Sequence, residues 1–315
     1  MMLLALAASL FSACFQQAPD QQISSVETVD NNTATAHRVA PSTVGELYEL
    51  LRYHEGRYPL VSAHRGGPAP GFPENALETF ERIANMHPVI IECDIQMTRD
   101  SVLILMHDDH LDRTTNTKGR IADTDYARLA DVRLRDKDGT ATAYRIPTLA
   151  EALQWGNGIV VYTLDVKRGV PYALVVNEIK RNKAEAISVV ITYNADQAAE
   201  VHALAPELMI SASLRSEADL RRLNRMGIPN QVLVAFVGTR EADRSAYEAL
   251  HRAGISTILG TIGNLDTQAA RQGEQRYAQF VRHGADILST DRPEEAGNAL
   301  QQLVAEDGLS SPFIH

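Results

Sequence analysis

Only two cysteines, Cys14 and Cys93, occur in 315 residues, so the chain carries no disulfide framework. No apolar run is long enough to cross a bilayer as a helix. The N-terminal MMLLALAASLF offers about a dozen apolar residues where about 20 are needed. Basic residues are outnumbered, 30 Lys and Arg against 40 Asp and Glu, and the net charge of −10 argues against a nucleic-acid partner, which requires a basic patch. It does not exclude an anionic small molecule, because a local group of cations overrides the global sign. No repeat with a period of about 20–50 residues is present. No GxGxxG follows a strand-like run, which removes the dinucleotide-binding fingerprint.

What the N-terminus does have is the h-region of a secretory signal. It ends in Phe11-Ser12-Ala13-Cys14, which resembles a bacterial lipobox, with Cys14 as the lipidated residue of the mature protein. No positively charged n-region precedes it. The stretch from Phe15 to Val44 is rich in Gln, Ser, Thr, Asn and Asp, without apolar periodicity, and reads as a flexible tether. The expected organisation is therefore a signal peptide over 1–14, a tether over 15–44 and a folded domain over 45–310. A lipid anchor at Cys14 would place that domain at the bacterial cell envelope.

Within the domain, short apolar runs alternate with amphipathic helical stretches. The runs are PLVSAH (Pro59–His64), PVIIECDIQ (Pro88–Gln96), IVVYTLDVK (Ile159–Lys167), AISVVIT (Ala186–Thr192), LMISAS (Leu208–Ser213), QVLVAFV (Gln231–Val237), ISTILG (Ile255–Gly260) and ADILST (Ala285–Thr290). One more, VLILMH (Val102–His107), suits a hairpin-like excursion after the second strand. Helices are expected over Gly45–His54, Glu74–Met86, Pro171–Asn182, Ala195–Ala205, Ser216–Met226, Arg240–Arg252, Thr267–Arg282 and Pro293–Ala305. The polar stretch Asp108–Arg145 is too long for a connector and reads as an insertion over a site. Eight βα units in about 260 residues predict an α/β fold, a single-domain (β/α)8 TIM barrel with a parallel eight-stranded sheet.

Such barrels collect their chemistry at the C-terminal ends of strands. His64, the Glu92–Asp94 pair, His107 and the Asp165–Lys167 pair all lie at or near such ends. Glu92 and Asp94 are two apart on one strand, so they share a face, while Cys93 between them faces the other way and reads as packing. Two carboxylates on one side of an apolar strand are costly unless a cation or a lysine compensates them. Oxygen donors without clustered Cys or His suit a hard ion, Mg²⁺ or Ca²⁺. A buried carboxylate–lysine network is the structural alternative. His64 and His107 suit a general acid and base. His110 reads as loop surface. Arg65 suits bidentate capture of an anion and Lys167 a point charge, and Gly66 and Gly67 would let backbone approach that anion. Together these groups describe phosphate-ester hydrolysis.

In order, the chain contains HRGG, PENALETF, IECDIQMTRD, LMHDDHLDRTTNTKG, IPTLAEAL, LDVK and ADILSTDRP. This succession, from about Pro59 to Glu295, resembles the glycerophosphodiester phosphodiesterases. The resemblance implies a TIM barrel that hydrolyses glycerophosphodiesters to glycerol 3-phosphate and an alcohol with a divalent cation. It implies His64 and His107 as the acid–base pair, Glu92, Asp94 and Asp165 as metal ligands, and Arg65 and Lys167 as phosphate contacts. Glu74 and Asn75 would support the substrate site. Two departures stand out. Asp165 occupies a position that is often Glu in the family, and the Asp-x-Lys pattern there resembles the spider-venom phospholipase D proteins, so lipid phosphodiesters are an alternative substrate class. STILGTIGNLD stands where many members show a Trp-Thr motif. A surface-anchored binding protein on a degenerate barrel is the reading from another class.

Overall fold

The computed structural model describes residues 37–315. The signal segment, Cys14 and most of the expected tether lie outside the described residues. Ten helices and nine strands alternate among those that are described. The strands are β1 (Leu60–Ala63), β2 (Val89–Met97), β3 (Leu103–Leu105), β4 (Val161–Val166), β5 (Ser188–Thr192), β6 (Met209–Ser213), β7 (Leu233–Gly238), β8 (Thr257–Gly260) and β9 (Ile287–Thr290). The helices are α1 (Val44–Leu51), α2 (Leu77–Ala84), α3 (Leu149–Gly156), α4 (Tyr172–Arg181), α5 (Ala195–Leu204), α6 (Glu217–Arg225), α7 (Arg244–Arg252), α8 (Asn264–Gln272), α9 (Gln275–Arg282) and α10 (Pro293–Asp307).

Eight strands close into a parallel barrel in the order β1-β2-β4-β5-β6-β7-β8-β9, with β9 back beside β1. β3 is antiparallel to the far end of β2, the hairpin expected after Thr98–Ser101. The predicted (β/α)8 architecture is therefore the observed one.

The barrel interior is built in layers. Each of the eight strands sends one apolar side chain into the lowest layer: Leu60, Ile90, Val161, Val189, Met209, Val234, Ile258 and Ile287. Val39, Leu47 and Leu51 close it from below. Because a strand alternates faces with period two, the residues two further on also point inward. Here they include Ser62, Glu92, Thr163, Ser211 and Ser289, all buried. Four further on come His64, Asp94, Asp165 and Asp291. The interior thus changes from hydrocarbon to polar to ionisable over four residues of strand. The opposite phase, including Val61, Ala63, Ile91, Cys93 and Leu164, packs against the helices. Cys93 is a free, buried thiol.

Two expectations need correction, and a third gains detail. The packed unit reaches beyond 45–310 at both ends: Val39 is fully buried, and the Arg38 N–H donates to the His315 carbonyl at 2.9 Å. The last part of the expected tether is thus part of the domain. The helix expected over Thr267–Arg282 is two, α8 and α9, separated at Gly273, whose φ of 102° lies in a region that favours glycine. The insertion 108–145 holds a small core of its own, with Leu111, Ile121, Leu129, Val132 and Leu134 packed on Ile104 and Met106. Among the described residues no helix is long and apolar enough to cross a membrane.

Candidate active site

The turn that follows β1 places the first group. His64–Gly66 forms a single 3-10 turn, with Arg65 at φ 52° and ψ 28°, a left-handed conformation that is uncommon outside glycine. This aims the Arg65 N–H at Glu92 Oε2, 2.8 Å away. Asn75 is also left-handed, at φ 58°, and its N–H donates to the Arg65 carbonyl at 3.0 Å. Two strained residues back to back on a site wall are held by the surrounding structure rather than by preference. Gly66 and Gly67 are required here by packing. A Cβ on Gly66 would lie 2.3 Å from Phe80 Cδ1, and one on Gly67 2.3 Å from Pro293 Cγ.

Glu92, Asp94 and Asp165 converge, with one carboxylate oxygen of each within 4.8 Å of the others. Asp94 and Asp165 are direct neighbours across β2 and β4. All three are nearly buried, and their charges are compensated unequally. Lys167 Nζ lies 2.6 Å from both Asp94 Oδ1 and Asp165 Oδ2. For Asp94, burial works to raise the pKa, but the Lys167 ammonium and the Asn75 amide outweigh it and hold the carboxyl below the ordinary range. Glu92 has no such partner. Burial first, then the Asp94 charge, push it up to about 8. A cluster of three carboxylates that leaves one of them partly protonated fits a divalent cation. The donors are hard oxygens, and a cation would remove the cost that falls on Glu92.

Both histidines are oriented through Nδ1. His64 Nδ1 lies 2.6 Å from Asp291 Oδ1, and its Nε2 lies 4.0 Å from Glu92 Oε2. Burial would lower the His64 pKa, but the hydrogen bond to Asp291 and the charges of Glu92 and Asp291 prevail and raise it. His107 Nδ1 lies 2.7 Å from Asp108 Oδ1. In each case the Nε2 edge is left free for proton transfer.

Arg65 sits beside the carboxylates, its Nη1 3.2 Å from both Glu74 oxygens. Its Nε, 3.6 Å from Asp94 Oδ2, is buried without a hydrogen-bond partner, an orphaned donor of the kind an anionic ligand satisfies. Lys167, expected at phosphate, lies between two carboxylates, Asp94 and Asp165. Glu74 and Asn75, expected to support the substrate site, face the protein: Glu74 holds Arg65, and Asn75, 1% exposed, is committed to Asp94. His110 is exposed on the insertion, as expected.

Four residues were missed. Asp291 lies in the quoted ADILSTDRP. Asp108 and Arg113 lie in HDDHLDRTT. The Arg113 guanidinium donates from Nε to Asp108 Oδ2 at 2.7 Å and from Nη1 and Nη2 to Glu74 at 2.9 and 2.7 Å. These bonds, above all the one to Arg113, hold the Asp108 carboxyl well below the usual range. Tyr193, just past β5, donates its hydroxyl to Asp165 Oδ1 at 2.7 Å. Burial and the Asp165 charge raise the phenol pKa, so it stays a donor. Asp291 and Tyr193 were legible in principle, since each lies four residues after a bottom-layer residue, in phase with Asp94 and Asp165. A cleft of about 620 Å³ opens between the Gly67–Pro70 loop and the starts of α8 and α10; Asp291 lines it, but neither histidine and none of the three carboxylates does.

A parallel barrel carrying carboxylates, imidazoles and a guanidinium on one rim defines a phosphoryl-transfer TIM-barrel enzyme. The chain belongs to the glycerophosphoryl diester phosphodiesterase family, which it matches over residues 64–294. It is accordingly an enzyme of the phosphoric diester hydrolase class. A glycerophosphoryl diester phosphodiesterase of Parabacteroides distasonis superposes with a TM-score of 0.82 at 32% identity, covering 89% of this chain and 99% of that one. A glycerophosphodiester phosphodiesterase of Caldanaerobacter subterraneus is 31% identical over 158 residues, 48% of this chain and 65% of the relative. The fold is shared by an Oleispira antarctica phosphodiesterase solved with the product sn-glycerol-3-phosphate, with a TM-score of 0.61 at 21% identity over 81% of this chain and 99% of that one.

Proposed function

We propose that the chain hydrolyses glycerophosphodiesters to glycerol 3-phosphate and an alcohol, with a divalent cation, Mg²⁺ or Ca²⁺, held by Glu92, Asp94 and Asp165. The observation that carries this reading is the convergence of those three carboxylates with two histidines, each oriented through Nδ1 by its own carboxylate. A hard cation bound there would neutralise phosphoryl charge and act as a Lewis acid. Arg65, its Nε 3.6 Å from Asp94 Oδ2, brings positive charge beside the same carboxylates. One histidine takes the proton from the attacking oxygen as that oxygen bonds to phosphorus and the bond from phosphorus to the alcohol oxygen breaks. The other gives a proton to the departing alkoxide, so the pair ends with its proton exchanged between members. The product bound by the Oleispira antarctica enzyme supports glycerol 3-phosphate as the retained half.

We also propose that Cys14 is lipidated and holds the enzyme at the bacterial cell envelope. The lipobox-like Phe11–Cys14 carries that reading. Loss of metabolic fatty-acid labelling in Cys14→Ser tests it, and equal labelling of both proteins would refute it.

Turnover of a panel of water-soluble glycerophosphodiesters and one lysolipid, after EDTA and then with each ion restored, tests the reaction. The protein must include Arg38 and Val39, because Val39 closes the barrel from below. Release of glycerol 3-phosphate that vanishes in EDTA and returns with one ion is expected. Turnover of the lysolipid alone would move the protein to the phospholipase D-like reading, which the Asp165–Lys167 pairing favours. Cation binding with no turnover of any diester would leave a binding protein.

A further inference from the structure

Among the described residues, Tyr193 combines two properties that do not normally go together. It is 58% exposed, yet its hydroxyl is spent on the nearly buried Asp165, 2.7 Å away. The other exposed large apolar side chains, Leu204 and Met226, lie at the end of α5 and just past α6, remote from the strand ends that carry the carboxylates. The strand register explains where Tyr193 stands: it is four residues after Val189 of the lowest barrel layer, the phase that also carries Asp94 and Asp165. Its backbone is pinned as firmly as its hydroxyl. The Tyr193 N–H donates to Gln197 Oε1 at 2.7 Å, and Asn194 caps α5 by accepting from the Asp196 and Gln197 N–H groups. The ring is therefore fixed at both ends while its faces stay open at the mouth of the barrel.

We propose that Tyr193 is a positioning residue for Asp165 and that its open ring is a wall of the diester site. This rests on reading Glu92, Asp94 and Asp165 as the cation site. The two oxygens of Asp165 are treated differently. Lys167 Nζ takes Oδ2 and competes electrostatically with any cation for it. The neutral phenol orients Oδ1 without adding positive charge, as outer-shell donors to metal-binding carboxylates do. A ring held rigidly at two points also offers apolar area to the carbon skeleton of an ester at little entropic cost.

The test compares the full-length wild type with Tyr193→Phe and Tyr193→Leu by calorimetric titration with Mg²⁺ and Ca²⁺, followed by steady-state kinetics with the bound ion at saturation. Tyr193→Phe keeps the ring and loses the hydroxyl. It should weaken ion binding roughly tenfold or more and leave KM within about twofold of the wild type. Tyr193→Leu should weaken ion binding equally and raise KM severalfold as well. Ion affinity unchanged in Tyr193→Phe overturns the positioning role, and a KM equal in the two variants overturns the wall. A wild type that binds neither ion overturns this inference together with the cation reading beneath it. Wild-type binding that persists unaltered in Tyr193→Phe overturns this inference alone.

Discussion

Asn75 holds Asp94 at both ends: its Nδ2 donates to Asp94 Oδ2 at 2.7 Å, and its Oδ1 accepts from the Asp94 N–H at 3.0 Å. The clamp is buried, so water cannot replace it. Asn75→Ala should lower stability by about 2–3 kcal/mol, the cost of leaving a buried amide and part of a buried carboxylate unsatisfied, with further loss from the left-handed φ that Asn tolerates and Ala resists. Asn75→Gly relieves only the backbone component. If the two variants melt at the same temperature, that component is absent; if both melt with the wild type, the clamp contributes nothing.

Arg113 joins the two halves of the site. Its fork spans Glu74, which holds Arg65, and Asp108, which orients His107. Four of its five donor positions are used in these bonds, which leaves it poorly placed to bind substrate itself. Arg113→Ala should reduce kcat roughly ten- to a hundredfold by loosening His107, with a small change in melting temperature because the side chain is half exposed. Arg113→Lys should restore little, since an ammonium lacks the planar fork that pairs with both oxygens of Glu74 and of Asp108 at once. Wild-type kcat in Arg113→Ala, measured at saturating substrate, would exclude the strut.

Asp291 sustains the raised pKa of His64 against the opposing effect of burial. In Asp291→Asn the His64 pKa should fall, and the limb of the pH–rate profile that reports it should move to lower pH. The sign for stability follows the histidine. A folded-state pKa above the ordinary value of about 6.5 gives stabilisation that is full below that value and is lost as pH rises through the raised pKa. The variant should therefore lose stability relative to the wild type below about pH 6.5 and approach it at higher pH. Parallel melting curves across that window would show that Asp291 does not act on His64 protonation.

Glu92, pushed up to about 8 mainly by burial, behaves in the opposite way to an ordinary salt-bridged acid. In the unfolded chain it ionises near its normal pKa, so in metal-free protein its contribution falls as pH rises from about 4.5 towards about 8. A cation that needs all three carboxylates ionised must displace the remaining proton. Titration of Mg²⁺ or Ca²⁺ near pH 7, repeated in buffers of different ionisation enthalpy, should show net proton release that disappears in Glu92→Gln. Binding heats independent of the buffer would contradict the assignment.

Much of this site was readable along the chain because strands impose a strict period. Glu92 and Asp94 had to share a face, Cys93 had to oppose them, and both turned out so. Asp291 and Tyr193 obey the same period and were overlooked only because their strand ends were not extended by one inward step. Asp108 and Arg113 were harder. They lie in an irregular loop where no period relates sequence to direction, and their partner Glu74 comes from a different βα connection. Val39 was missed because a single buried valine in a polar stretch leaves no local pattern. The break at Gly273 lies in RQGEQR (271–276), where no apolar residue marks the phase of either helix.

By itself the sequence determined the alternation of strand and helix, the closure of eight such units into a barrel, and the inward phase that gathers His64, Glu92, Asp94 and Asp165 at one rim. Those are consequences of local stereochemistry and hydrophobic periodicity, which are written residue by residue. Only the tertiary structure decided the partners: Asp291 on His64, Asp108 on His107, Arg113 between Glu74 and Asp108, Asn75 on Asp94 and Tyr193 on Asp165. Each pair except His107–Asp108 and Asp108–Arg113 joins residues from different connections of the barrel. Their distances depend on closure of the whole barrel and on the loops above it, and no local period encodes them.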